Sequence, residues 1–366
     1  MIYKIGDHLL NNRINVSMGI TNLFKVCNFK PVDLQDYPYK KVGVDMYVIL
    51  HKFVMDIQIA KQLVDNPNEY IMEYYEQIRR YLSTFILLGY DLYLVYDGNK
   101  MKYKITEEVR EQQRLKCFVQ ENWIGAVEIV PQQMYNFQDY LEKHPIIRDE
   151  QPVNIPYVVA PFEADAELTY LYKEGIVNSI LTNDSDLIIY GVCHILMIRQ
   201  QGLMRYDSEH YEKNEKIETI NQIDLRKLWL FGYLIGCDYF KGVPKVGIVK
   251  AFSIINSLKV CETGSHIDWD ETYKILMKNK DYLKAIKGKE DVIDFQMNYN
   301  KVRMVYTTQY VIDPRTNELK NLLGDLVEEI NRTRFGEVFS VEEVGKGRIN
   351  PISGKPFIIQ TECISN

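Results

Sequence analysis

Four apolar runs of strand length lead into carboxylates. Val42 to Val44 precedes Asp45, Leu92 to Tyr96 precedes Asp97, Tyr157 to Ala160 precedes Glu163 and Asp165, and Ile180 with Leu181 precedes Asp184 and Asp186. A seventh acid, Asp238, lies in the segment GCDYFKGVPKVG. One aspartate after a strand is ordinarily a helix cap or turn former. Seven sharing one crevice would repel one another too strongly to ionise together without cations, so the pattern calls for divalent metal. A ligand set made only of oxygens favours Mg²⁺ or Mn²⁺ over zinc. Two such ions about 3.5–4 Å apart activate water and stabilise in-line displacement at phosphorus, and no histidine, serine or cysteine nucleophile is then required. Side chains two apart point the same way in extended backbone, so the pairs Glu163/Asp165 and Asp184/Asp186 can each reach one site.

The elements that must bring these acids together are legible too. Short β-branched runs bounded by turn residues read as buried strands of a mainly parallel sheet. Segments of helical spacing, Glu69 to Leu88 and Glu163 to Lys173, lie between them, which is the α/β pattern. In open α/β sheets the crevice lies outside the carboxyl ends of the strands, where acids from separate strands converge. Residues 100 to 150 differ: MKYKITEEVREQQRLKC is basic and helix-compatible, and the stretch on to Asp149 is polar with weak periodicity, as for an insertion over the crevice. Beyond Asp238 the chain reads as mostly helical with breaks at Gly242 and Gly247, and after Gly336 the pattern fades into a peripheral segment, 336–366.

Composition sets the outer bounds. A chain of 366 residues, 46% hydrophobic and 26% charged, supports one large globular domain. The net charge of −6 excludes a surface that is a polycation throughout, but leaves room for local basic patches. Cysteines 27, 117, 193, 237, 261 and 363 form neither a CxxC pair nor a zinc-type spacing with histidine, which points to a reducing compartment. The most apolar stretch, Tyr81 to Tyr96, is broken by Gly89 and Asp91, so no membrane association is expected.

The segments VGVDMYVILHK (42–52), YDGNKMKYK (96–104), VAPFEADAELTYLYKEGIVNSILTNDSDLIIYG (159–191) and IGCDYFKGVPKVGIVKAF (235–252) resemble the structure-specific 5′ nucleases. That family includes flap endonuclease, exonuclease 1 and the XPG repair nuclease. The resemblance runs from Met18 to about Pro314. It implies an α/β fold with a central, mainly parallel sheet, a helical arch at about 100–145 and a helix-two-turns-helix element at about 228–258, within a nuclease domain over 18–335 preceded by an extension, 1–17. By this likeness Asp45, Asp97, Glu163 and Asp165 line a first Mg²⁺ site, and Asp184, Asp186 and Asp238 a second, with Mn²⁺ able to substitute.

Relatives hold the scissile phosphate with an arch lysine and an arginine one further step along. Lys104 fits the lysine; Glu111 stands at the arginine position, leaving Arg110 or Arg114 as substitutes. Gly19, Tyr47 and His51 are implied near the substrate, and Lys241, Gly242, Lys245, Gly247 and Lys250 along the duplex backbone. A K⁺ ion is implied on the backbone carbonyls of Ile235, Gly242 and Val246, although Ile235 replaces the usual serine. His51, where flap endonucleases carry tyrosine, and the VIDP match at 311–314 point toward the exonuclease 1 branch.

The implied substrate is duplex DNA with a nick, gap, free end or 5′ flap, cut 5′ to 3′. The resemblance also implies a nuclear, monomeric repair or replication enzyme, and no clamp-binding motif is evident in the sequence. Alternatives are a flap endonuclease proper, an RNA-directed relative, and a catalytically inactive DNA-binding module of the same fold. A phosphatase of the haloacid dehalogenase type needs two aspartates two apart after the first strand. Asp45-Met46-Tyr47 does not supply them.

Overall fold

The computed structural model describes residues 20, 23, 27, 29–98, 101, 104–199, 202–207, 225–263, 266–289, 293–307, 309–316 and 318–322. Its strands, in chain order, are Phe29–Pro31 (β1), Lys41–Asp45 (β2), Asp91–Tyr96 (β3), Ile146–Arg148 (β4), Gln151–Val153 (β5), Tyr157–Val159 (β6), Ser179–Leu181 (β7), His194–Arg199 (β8), Gly202–Asp207 (β9), Cys261–Thr263 (β10), His266–Asp268 (β11), Tyr310–Asp313 (β12) and Glu318–Asn321 (β13). Seven of them make one sheet in the order β1-β9-β8-β7-β2-β3-β6; the other six form two-stranded hairpins.

The helices, in chain order, are Met46–Lys52 (α1), Ile57–Asp65 (α2), Met72–Leu87 (α3), Thr106–Val119 (α4), Trp123–Ala126 (α5), Pro131–Lys143 (α6), Ala164–Lys173 (α7), Asp186–Ile189 (α8), Trp229–Ile235 (α9), Ile248–Ser257 (α10), Trp269–Leu276 (α11), Lys280–Ile286 (α12) and Phe295–Thr307 (α13). Among the described residues no helix is long and apolar enough to cross a membrane.

From β8 to β6 every neighbouring pair is parallel, while β9 and β1 run antiparallel at one margin. The central strands are apolar nearly throughout because both faces are covered. In β3, Leu92, Leu94 and Tyr96 pack with α1, α3 and α6, whereas Tyr93 and Val95 face the opposite core with α7 and α9. That alternation follows from the two-residue repeat of extended backbone.

Asp45 and Asp56 start α1 and α2 by accepting amides of their first turns. The polar stretch before Asp149 is more ordered than its weak periodicity suggests: it contains α6 and ends in β4, which pairs with β5 just beyond. There Gln133, fully buried, accepts from the Tyr75 hydroxyl at 2.5 Å and donates to the Pro67 carbonyl at 2.5 Å. Tertiary hydrogen bonds from a buried polar residue therefore add to the apolar packing of Met134, Phe137 and Tyr140 in holding α6.

Candidate active site

The four adjacent parallel strands β7, β2, β3 and β6 all present their carboxyl ends at one edge of the sheet. Asp45 is the last residue of β2, Asp97 follows β3, Glu163 and Asp165 follow β6, and Asp184 and Asp186 follow β7. Asp238 joins them from the loop after α9. The charges of Asp45, Asp97, Glu163, Asp165, Asp184, Asp186 and Asp238 act on one another.

Local structure fixes each acid. Asp45 Oδ1 accepts the Tyr47 and Val48 amides at 3.1 and 3.3 Å, and its Oδ2 accepts the Thr182 hydroxyl at 2.7 Å. The same Thr182 oxygen accepts the Asp184 amide at 3.0 Å, so one hydroxyl ties the ends of β2 and β7 together. Asp97 Oδ1 accepts the Ala164 amide at 2.7 Å, satisfying an otherwise unpaired N–H at the start of α7. Gly98 permits this: a Cβ there would stand 1.9 Å from the Ala160 carbonyl oxygen. Tyr239 donates to Glu163 Oε2, and Tyr306 donates to Asp186 Oδ2 at 2.6 Å.

The extended-backbone reading of the two acid pairs is corrected by the structure. Glu163 precedes α7 and Asp165 lies in its first turn, while Ser185 is already helical at φ −79° and ψ −16° and Asp186 opens α8. Both pairs straddle helix starts, which place acids in the favourable field of a helix N-terminus.

Burial and mutual repulsion make these carboxylates reluctant to ionise. Burial, reinforced by Asp97, pushes Asp45 up to about 7 despite the Thr182 hydrogen bond. Burial and then Asp238 push Asp184 to about 6. Burial, with Asp184 next in importance, raises Asp165 and Asp186 well above the carboxylate range, and burial raises Asp97.

Two cations answer this charge. Lys104 contacts Glu163 and lies 3.4 Å from Asp238, and Arg110 lies 2.9 Å from Asp238. Burial works against the Lys104 ammonium, but Glu163 and Asp238 outweigh it and hold the pKa above its usual range. An Asp238 carbonyl that accepts the Ile105 amide at 2.8 Å sets the position of the segment entering α4.

Of the two candidate arginines, Arg110 reaches the acids; Arg114 instead sits 3.4 Å from Glu128 and 4.0 Å from Glu107. Tyr47, on α1 beside Asp97 and Arg110, meets the His51 ring edge-on at 4.5 Å. Ile235 ends α9, and Gly242, at φ +86°, lies so close that an added Cβ would be 2.7 Å from the Ile235 carbonyl carbon. Val246 is buried and donates its amide to Val243 at 3.2 Å. Lys241 and Lys245 are exposed, Gly247 caps α10, and Lys250 donates to the Lys245 carbonyl at 3.1 Å. Gly19, the extension 1–17 and the segment 336–366 fall outside the described residues.

For a divalent cation the donor chemistry fits: hard carboxylate oxygens, with buried Asp186 Oδ1 having no hydrogen-bond partner. Among the described residues no three acids are yet gathered as an ion-holding group. Sequence reasoning did not find Thr182, Tyr239 or Tyr306. A hydroxyl two residues before Asp184 is a faint local signal; Tyr306, 120 residues from Asp186, offers none.

Two family models match: the XPG N-terminal domain over residues 18–117 and the XPG I-region over 154–238, together just over half of the chain. DNA damage-inducible protein DIN7 of Saccharomyces cerevisiae is 26% identical across 91% of this chain and 81% of its own length. Exodeoxyribonuclease 1 of the same yeast is 26% identical across 63% of this chain and 34% of its own length. The Schizosaccharomyces pombe exodeoxyribonuclease 1 is 26% identical across 95% of this chain and 60% of its own. The chain thus spans less than two thirds of the length of these exonucleases.

The fold is shared with the catalytic core of Rad2 in complex with DNA substrate, at TM-score 0.54, 19% identity, and coverage of 90% of this chain and 98% of that one. Flap endonuclease-1 from Methanococcus jannaschii gives TM-score 0.51, 18% identity, and coverage of 90% and 96%. Acids carried to one edge of a parallel sheet by the two matched regions, in a fold held in common with these nucleases, place the chain in the XPG family of structure-specific 5′ nucleases.

Proposed function

We propose that the chain hydrolyses phosphodiesters of duplex DNA in the 5′ to 3′ direction from a free end, nick or gap, and cleaves 5′ flaps, leaving a 5′-phosphate. The observation that carries this reading is the placement of seven acids at one sheet edge with Lys104 and Arg110 upon them. Asp45, Asp97, Glu163 and Asp165 would hold one Mg²⁺, and Asp184, Asp186 and Asp238 a second, some through water. Mg²⁺ held there would supply an activated water and neutralise the leaving oxygen.

The protein's own groups do the rest. Lys104 and Arg110 hold the scissile phosphate and offset its charge, and α4 serves as part of an arch over the acids. Tyr47 and His51 pack against the terminal base, which unpairs to reach the acids. Lys241, Lys245 and Lys250 grip the duplex backbone without reading sequence, and the carbonyls of Ile235, Gly242 and Val246 would hold a K⁺ ion that would brace that grip. The names of relatives, a DNA damage-inducible protein and an exodeoxyribonuclease, support a role in DNA repair or replication, and a nuclear location belongs to that reading.

Digestion of end-labelled nicked, flapped and blunt duplexes in Mg²⁺ tests the reading. Mononucleotide products are expected of an exonuclease; oligonucleotides alone would replace that assignment with flap cleavage. Asp184→Ala should abolish cleavage yet leave duplex binding intact, and full activity in that variant would refute the site.

A further inference from the structure

Among the proposed metal acids, Asp186 has an uneven environment. Its Oδ1 is buried with no hydrogen-bond partner, while its Oδ2 accepts the Tyr306 hydroxyl at 2.6 Å. Tyr306 is itself 4% exposed and sits on α13, well beyond the last residue matched by the family models.

The phenol ring is walled on two sides. The Tyr190 ring meets it edge-on at 5.0 Å, and Tyr190 is tied down by Gln309, which donates to its hydroxyl at 2.9 Å. Gly232 on α9 supplies the second wall: a Cβ there would lie 3.1 Å from Tyr306 Cε2, a tight contact that would press the ring from its present position by a few tenths of an ångström. A side chain locked this way has one hydroxyl and one acceptor to give it to.

We propose that Tyr306 is a positioning residue which, by occupying Oδ2 of Asp186, leaves Oδ1 as the oxygen presented to a divalent cation. The inference rests on the reading of Asp186 as a metal ligand. Groups behind a ligand commonly set its orientation, and their loss typically costs about 10–100-fold in metal affinity. Helix α13 thereby governs a site whose acids all lie on other elements.

The test is direct Mn²⁺ titration of the full chain, following unbound Mn²⁺ by its magnetic resonance signal, with melting in EDTA as a check on folding. Tyr306→Phe removes a single oxygen. It should weaken Mn²⁺ binding by about tenfold and raise the Mn²⁺ needed for half-maximal cleavage by the same factor, without changing the KM for duplex.

Gly232→Ala keeps the phenol but crowds its ring, and should weaken Mn²⁺ binding by a smaller factor. Folded Tyr306→Phe protein with wild-type Mn²⁺ affinity would overturn the role of Tyr306. Should that variant not fold, wild-type affinity in Gly232→Ala would do the same. Unchanged Mn²⁺ binding by Asp186→Ala would instead overturn the metal assignment on which the inference rests.

Discussion

Replacing Thr182 with valine isolates what its hydroxyl does, because the two side chains have nearly the same shape and no cavity opens. Thr182 is fully buried, as nearly are its partners Asp45 and Asp184. The substitution deletes a 2.7 Å hydrogen bond to a carboxylate and strips the Asp184 amide of its acceptor. A hydrogen bond to a charged group contributes about 1.5–3 kcal/mol, and an orphaned buried donor costs about 1–3 kcal/mol. Together the loss should be on the order of 3 kcal/mol.

Asp45, held by burial and Asp97 at about 7, loses an interaction that keeps its pKa down. A carboxylate must be ionised to bind metal, so the cleavage deficit of Thr182→Val should be greatest near pH 6 and shrink toward pH 9. Thr182→Ser keeps the hydroxyl and should follow the wild-type pH–rate profile, at a stability cost of about 1 kcal/mol for the lost methyl. Thermal melting and Mg²⁺-dependent cleavage across this pH range provide the measurement. Identical profiles for the valine and serine variants would refute the reasoning.

Lys104→Ala should slow cleavage by about 10²-fold, since one charge-stabilising group is lost, while duplex affinity measured in EDTA changes little. Equal losses in rate and affinity would mark Lys104 as an anchor only. A further prediction concerns acid stability. The Arg315 hydrogen bonds hold Asp313 down at about 2, against an ordinary 3.8. With the folded value depressed, the stabilisation is complete above about 3.8 and is lost as pH falls through about 2. Arg315→Met should therefore melt lower than wild type at pH 6, and the gap should close between pH 4 and pH 2; a gap independent of pH would contradict this.

Six of the acids were legible in the sequence because they follow apolar runs that can hardly be anything but buried strands, and strand ends converge by topology; Asp238 comes after a helix and carries no such signal. The parallel sheet followed from the same runs. What could not be read was orientation. Glu163 and Asp165 lie at the helix start that the helical spacing of Glu163 to Lys173 had marked, so the expectation of extended backbone for this pair gave way to the helix. Arg110 and Arg114 are one turn apart, and choosing between them needed Asp238 to be placed in space. Gln133 shows why the packing of α6, inside the stretch expected to be a helical arch, could not be read: its burial depends on carbonyls of Pro67 and Glu69, more than sixty residues away. Tyr306 is the extreme case, a contact set entirely by how α13 returns to the sheet.

The margins of the large sheet carry a consequence of another kind. Both outermost strands, β1 and β6, are only three residues long, and β1 ends in Pro31, which has no amide hydrogen to offer. Stray chains therefore find scarcely any ladder to extend, so strand-by-strand aggregation has no ready template even though the interior of this sheet is strongly apolar.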